Sequence, residues 1–340
     1  MKPIRMLVIG LGQLGMMWIE NIMADSRYEV TAVIDTDKER IQQACSKFAL
    51  DEKIAFTSLE KGISETNLDA ALIVVPPQFH YSTAKFCIEN KLHILSEKPL
   101  ASSMGEALSI KKLSDQQNIL FMVSQDYRWQ PPIQALRESI AKGLIGKPGY
   151  AVYRHYRSLK IGGWREQMED VILEDMAIHH FDILRYITGL DCKEVFAESF
   201  NPTWSWYRGG ASTSVLLTFE DEFRVNYFAS WVTTGGEDSW PGEVRIEGEK
   251  GSLSLSTNGE VKFYQDGIET TIPQPVMNNS GRCYALHQFY NGVSHSGVPD
   301  STIEDNIKSF AIVQAAIESA QSKKTVRIDR LLNPELEPLV

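Results

Sequence analysis

The sequence predicts two unlike domains. The first is an α/β doubly wound parallel sheet, and the second is an α+β domain carrying a large, mainly antiparallel open sheet. Three observations predict this. Over residues 1–124, short apolar runs alternate with helical stretches at the pace of a parallel α/β sheet. From 193 to 272 the helices give way to β-rich segments joined by short turns, a spacing that suits antiparallel pairing. The 340 residues are too many for a comfortable single core and suit two domains of about 100–200 residues each. The expected domains are 1–124 and 125–340.

Taken in order, residues 4–9 form an apolar run closed by glycines, as a buried parallel strand does. A helix is expected over 16–24, a strand over 28–34, a helix over 37–48 and a buried strand over 70–75. Helix 80–90 and strand 93–96 follow. Ser103 and Glu106 stand in capping-box spacing, opening a helix to about residue 117. Residues 119–123 make the last strand of this domain. Pro131 and Pro132 then precede a helix over 133–142, and 149–157 alternates. A helix over 174–187 stops at Gly189, a natural closing residue. Strands are expected at 212–219, 223–232, 243–247 and 252–256, with Glu220-Asp221-Glu222 as a hairpin-like turn. Amphipathic helices over 284–293 and 303–321 close the chain.

Composition excludes whole classes of function. The chain is 43% apolar and 23% charged, which describes a soluble globular protein and not a disordered one. Its 34 Lys and Arg face 44 Asp and Glu, a net charge of −10. That is a poor footprint for nucleic acid or an anionic membrane. Cys45, Cys87, Cys192 and Cys283 lie far apart without a CxxC pair, as in a reducing, cytoplasmic setting. The basic and apolar start imitates a signal peptide, but Gly10, Gly12, Gln13 and Gly15 interrupt it. No run approaches the ~18 apolar residues of a membrane helix.

Those glycines have a better explanation. Gly10-Leu11-Gly12-Gln13-Leu14-Gly15 is G-x-G-x-x-G between a strand and a helix, and Asp35 closes the second strand twenty residues later. Gly10 permits the turn, Gly12 admits a pyrophosphate to the backbone, and Gly15 packs the helix on the strand. The helix N-terminus then offers unpaired N–H groups to the phosphates. An acidic protein can bind an anion this way. Asp35 would accept bonds from a ribose diol and repel a 2′-phosphate, favouring NAD over NADP; Lys38 and Arg40 would weaken that preference if they folded back. The expected cofactor set is Gly10, Gly12, Gln13, Leu14, Gly15, Asp35, Pro76, Gln78, His80, Glu97 and Lys98. For His80, a core or capping role is the equal alternative.

At Ser96-Glu97-Lys98-Pro99-Leu100-Ala101 the chain resembles the Gfo/Idh/MocA family of NAD(P)-dependent sugar and polyol oxidoreductases, whose E-K-P motif follows a Rossmann strand. Residues 175–182 (DMAIHHFD) are similar to its D-x-G-x-H-x-x-D block, and Arg128 through Pro148 to its R…G-x-I-G-x-P segment. Ala177 replaces the usual glycine, 169–174 (EDVILE) replaces a glycine cluster, and Asp126 stands where many members have asparagine. The resemblance implies hydride transfer between nicotinamide and a secondary alcohol of a sugar, sugar acid or inositol-like polyol. It also implies a homodimer or homotetramer formed through the C-terminal sheet.

Such chemistry needs a proton acceptor and a group to hold the reacting oxygen. Lys98 is expected at the carboxyl end of a strand, where open α/β sheets place ligands. Asp175 and His179, four apart, would share a helix face, the carboxylate orienting the imidazole. Following the family, Lys98, Asp175 and His179 form the catalytic set, and which of Lys98 and His179 takes the proton first stays open. His180 would be structural or a secondary contact; Asp182 is a second partner for His179 or a buried structural group. Substrate contacts are expected from Lys98, Arg128, His155, Tyr156, Trp164, Asp175 and His179. Trp204, Trp206 and Trp231 read as sheet packing. No metal is expected. Alternative functions are an NAD-retaining glycosidase or epimerase of the same fold, and a non-catalytic NAD- or sugar-sensing regulator.

Overall fold

The computed structural model describes residues 2–336. It divides into two compact units. One runs up to Asp126 and includes Asn279–Ile307; the other holds Tyr127–Asn278 and the chain from Lys308 onward. The second domain is not one continuous stretch, because 279–307 belongs with the first unit. The contacts that tie it there are specific. The Tyr28 hydroxyl donates to the Leu286 carbonyl at 2.5 Å, and Ser301 Oγ donates to the Val123 carbonyl at 2.8 Å.

The first unit contains β1 (Ile4–Ile9), α1 (Gln13–Met23), β2 (Tyr28–Ile34), α2 (Lys38–Phe48), β3 (Ala55–Phe56), α3 (Leu59–Glu65), β4 (Ala70–Ile73), α4 (His80–Glu89), β5 (His93–Ser96), α5 (Met104–Gln117) and β6 (Phe121–Val123). The strands pair in parallel, in the order β3-β2-β1-β4-β5-β6. Met6, Leu7 and Val8 are fully buried, which is why β1 reads as an unbroken apolar run and not as an alternation. Ser103 caps α5 by accepting from Glu106 N at 3.3 Å. Only that half of the capping box forms, since the Glu106 carboxylate takes Ser102 N instead.

Register is what matters for function. Ile9 pairs with Ile34 and Ile73, Ile73 with Ser96, and Ser96 with Val123. The carboxyl ends of β1, β2, β4, β5 and β6 are therefore level. Strand order reverses between β1 and β4, so this edge is the crevice where such sheets bind ligands.

The second unit opens with α6 (Pro131–Ala141), β7 (Pro148–Tyr156), α7 (Ala177–Thr188), β8 (Cys192–Phe200), β9 (Ser212–Phe219) and β10 (Arg224–Ser230). β11 (Glu243–Gly248), β12 (Gly251–Leu255), β13 (Val261–Gln265) and β14 (Ile268–Ile272) follow. α8 (Gly281–His295) belongs to the first unit, and then come α9 (Ile303–Ser322), β15 (Val326–Arg327) and α10 (Ile328–Leu332). The nine strands run β14-β13-β12-β11-β7-β10-β9-β8-β15, antiparallel except for the β7–β10 pair. Eleven of the twelve α7 residues are buried. Gly189 closes α7 at φ +70°, as its composition suggested. Alternation puts Tyr153 and His155 on the sheet face that meets His180 of α7. Tyr150, Val152 and Leu216 project from the other face and are exposed.

Trp231 is buried as expected, but Trp204 is 60% exposed with its indole N–H held by the Val232 carbonyl at 2.8 Å. It lies in the loop between β8 and β9, outside any strand, so no sheet face covers it. Among the described residues Cys45, Cys87 and Cys192 are buried free thiols and Cys283 is exposed. Burial pushes the Cys87 and Cys192 thiols up to about 12.

Candidate active site

The loop after β1 is built from glycines that fail for different reasons. Gly10 sits at φ +96°, and a Cβ there would meet the Val74 carbonyl oxygen at 2.3 Å. A Cβ on Gly15 would meet the Gly10 oxygen at 2.0 Å. At Gly12, by contrast, nothing lies within 4 Å of that position, leaving the backbone approachable. Gly12 caps α1 without a side chain, and the first turn carries no acidic residue. The N–H groups at exposed Gln13 and half-buried Leu14 therefore stand at an uncontested positive helix end.

Asp35 braces this loop. Its Oδ2 accepts from Leu11 N at 2.7 Å and its Oδ1 from Asp37 N at 2.9 Å. Carboxylate oxygens have lone pairs to spare for a ribose diol. Arg40 does fold back, 3.7 Å from Asp35 and 3.5 Å from Asp37. These residues fit a dinucleotide: an open backbone cradle, a helix end and an acidic ribose acceptor lie side by side.

Past β4, Pro76 and Gln78 are exposed on the turn that enters α4. His80 occupies a core position. It is buried, with Nδ1 at 2.6 Å from the Pro99 carbonyl and Nε2 at 2.9 Å from the Val75 carbonyl. Burial lowers its titration despite the two carbonyls that favour the imidazolium. It staples the turn after β4 to the E-K-P turn. Glu97 is likewise turned inward, accepting from Trp18 Nε1 at 2.8 Å. Burial and the neighbouring Asp126 push its carboxyl up, while Trp18, Arg282 and Lys98 pull it down. Lys98 is half-buried just beyond β5, and the Lys98–Pro99 peptide is cis.

In the second unit the expected α-helical frame is absent around Asp175. Residues Ile172–Met176 form a π-helical turn, and α7 begins only at Ala177. Asp175 and His179 therefore do not both stand on regular α-helix, and π-turns of this kind recur at functional sites. The Asp175 carboxylate accepts from Arg165 Nε at 2.7 Å. Sequence reasoning missed Arg165; the only trace of it is the Gly162-Gly163 pair, which signals a turn just before it. His179 is 8% exposed and stacks on Tyr127, with centroids 4.3 Å apart and planes 18° apart.

The other expected substrate contacts differ in burial and partners. Arg128 is buried and grips Asp182 through two bonds of 2.5 Å, which gives Asp182 the buried structural role that was one of its two expected parts. His155 is buried against His180 and Trp240. Burial lowers the His155 imidazole to about 4 and drives His180 well below the ordinary range. Tyr156 lies on the sheet face opposite His155, against Phe228 and Arg154, because side chains alternate along a strand. Trp164 is exposed beneath the Arg165 guanidinium, 4.5 Å from its carbon.

Two family models match: the oxidoreductase family with an NAD-binding Rossmann fold over residues 4–125, and the GFO/IDH/MocA C-terminal domain over 133–254. The chain belongs to the Gfo/Idh/MocA oxidoreductase family. It is 26% identical over 320 residues to D-apiose dehydrogenase of Rhizobium rhizogenes, covering 89% of this chain and 91% of that protein. It is 26% identical over 191 residues to myo-inositol 2-dehydrogenase of Thermotoga maritima, covering 56% and 57%. An Agrobacterium radiobacter oxidoreductase solved with NAD+, L-tartaric acid and magnesium superposes with a TM-score of 0.89. That pair shares 22% identity and covers 97% of this chain and 99% of the other. This member of the family is thus an NAD-binding oxidoreductase of sugar or polyol dehydrogenase type. No helix among its described residues is long and apolar enough to cross a membrane.

Proposed function

We propose that this dehydrogenase oxidises a secondary alcohol of a sugar, sugar acid or inositol-like polyol, with Lys98, Asp175 and His179 as its working residues. NAD, held by the loop from Gly10 to Gly15 and by Asp35, supplies the hydride acceptor. Lys98 hydrogen-bonds the reacting oxygen or relays its proton, His179 serves as general base or acid, and Asp175 orients. The observation that carries this reading is the level edge of the six-stranded sheet. Ile9 and Ser96 pair with the same residue, Ile73, so the glycine loop begins one residue past the same edge that Lys98 leaves by two. A titratable amine beside a dinucleotide cradle is the arrangement alcohol oxidation needs.

Purified protein is expected to gain thermal stability with NAD or NADH and to form NADH on a panel of inositols, aldoses and aldonates. Absence of any shift with either cofactor form overturns the cofactor assignment. Substrate consumption without net NADH would turn the reading toward an epimerase or glycosidase.

A second copy of the chain is proposed to cover the exposed sheet face. Arg245, Val152, Asn226, Leu216 and Phe196 are successive register partners across β11, β7, β10, β9 and β8. Tyr150 and Val152, neighbours on one face of β7, and Leu216 on the same face are each more than half exposed, and clustered exposed apolar groups mark interaction surfaces. Gel filtration should give a multiple of 38.3 kDa, and a monomer would contradict this.

A further inference from the structure

We propose that Arg165 is a positioning residue of the reaction, acting through Asp175 by holding that carboxylate ionised and fixed in direction. The inference rests on the role given to Asp175 above.

The need for such a residue follows from charge. Residues 166–175 carry Glu166, Glu169, Asp170, Glu174 and Asp175, like charges on one short segment. Glu174 shows the effect: burial pushes its carboxyl up, and Asp170, Glu169 and Asp175 push it further. Asp175 sits in the same field, beside Tyr207, whose hydroxyl is raised by burial and by Glu166 and Asp175 and lowered by Arg165. His179 lies beyond the π-turn. Two of the other carboxylates are tied to backbone: Glu166 accepts Gly162 N at 3.0 Å and Glu174 accepts Asp170 N at 2.9 Å. Arg165 is directed to Asp175, at 2.7 Å.

The chain is shaped to deliver it. Gly162 and Gly163 both hold positive φ, +72° and +68°, with open space around each, so the backbone reverses there at no steric cost. The returning segment is pinned by Arg208 N to the Glu166 carbonyl at 2.9 Å and by Gly210 N to the Glu169 carbonyl at 2.6 Å. The guanidinium lies over Trp164, a stacking that fixes its plane while leaving its in-plane donors usable. The Asp175 carboxylate stands on a π-turn, and this loop brings Arg165 to it from outside that turn.

Four proteins test the inference: the parent, Arg165→Ala, Asp175→Asn and the double variant, with Arg165→Lys as the charge-keeping control. In Arg165→Ala, kcat on the best panel substrate should fall about 10- to 100-fold, the scale of a charge-assisted hydrogen bond. KM should stay within about threefold and the acid limb of the pH–rate profile should move to higher pH. Arg165→Lys should recover most of the rate. On the Asp175→Asn background the same truncation should cost no more than about twofold, because coupled residues are non-additive. Independently of turnover, the carbon-13 carboxyl resonance of Asp175, identified by its loss in Asp175→Asn, should titrate at higher pH in Arg165→Ala. Identical titration, a change in KM alone, additive losses, or a lowered Tm with an unmoved acid limb would each overturn the inference. If Asp175→Asn turns over normally, the role of Asp175 falls and takes the inference with it. If Asp175→Asn is crippled and Arg165→Ala is not, only the inference falls.

Discussion

Replacing Lys98 with alanine should leave NAD bound and reduce turnover by about 10²–10⁴-fold, the usual contribution of a positioned acid–base group. Binding survives because the phosphate site is made of backbone. Gly10, Gly12 and Gly15 shape it, Asp35 braces it through Leu11 N and Asp37 N, and none of these bonds involves Lys98. Turnover falls because the amine leaves the sheet edge. Thermal shift with NADH checks the first half and single-turnover NADH formation the second. A second substitution separates the two jobs given to Lys98. Arginine keeps a positive donor for the substrate oxygen but cannot give up a proton in a protein. If Lys98 only holds the oxygen, Lys98→Arg should recover part of the rate. If it relays the proton, Lys98→Arg should be as slow as alanine, and His179→Gln should then be the milder lesion. Normal turnover in Lys98→Ala would end the assignment.

What the sequence disclosed and what it hid divide along physical lines. Signals carried by a few consecutive residues were legible. The run Ile4–Ile9, the glycine loop and the strand His93–Ser96 each stand where expected, because a buried parallel strand and a phosphate turn are local necessities. β3 is two residues long, and no periodicity exists in two residues. Long-range partnership was also hidden. Nothing near Leu286 announces that its carbonyl meets a tyrosine 258 positions earlier, so 279–307 could not be assigned to the first unit. At the candidate site, residue type was readable and direction was not. His80, Glu97 and Arg128 are polar residues inside family-like motifs, yet each is turned inward and held by internal partners. Tyr156 and His155 are adjacent, and one position of strand alternation decides which face each sees. The π-turn at Ile172–Met176 was hidden for a related reason: spacing assumes 3.6 residues per turn, and the backbone here is wider.

The inward turn of Arg128 makes a sharp forecast about stability. Arg128 and Asp182 are 2% and 1% exposed, and they join through Nε to Oδ2 and Nη2 to Oδ1, each at 2.5 Å. Ser309 Oγ donates to Asp182 Oδ1 at 2.7 Å, and Arg185 Nη1 donates to Ser309 Oγ at 2.9 Å. The pair therefore binds the turn Asp126–Trp129 to α7 and α9. That turn carries Tyr127, the ring on which His179 stacks. Removing one partner takes this bidentate counter-charge from a buried group, so Arg128→Ala or Asp182→Ala should each cost about 3–5 kcal/mol. Replacing both, as in Arg128→Met with Asp182→Leu, should cost much less, because no charge is then stranded. The activity of either single variant should fall through loss of folded protein and of the Tyr127–His179 stack, with KM no guide to the cause. A substrate-contacting arginine would behave in the opposite way, with Tm unchanged, KM raised, and no rescue when Asp182 is also made apolar. Thermal unfolding of the two single variants and the double variant decides between these outcomes, since only an internal ion pair makes the double variant the more stable.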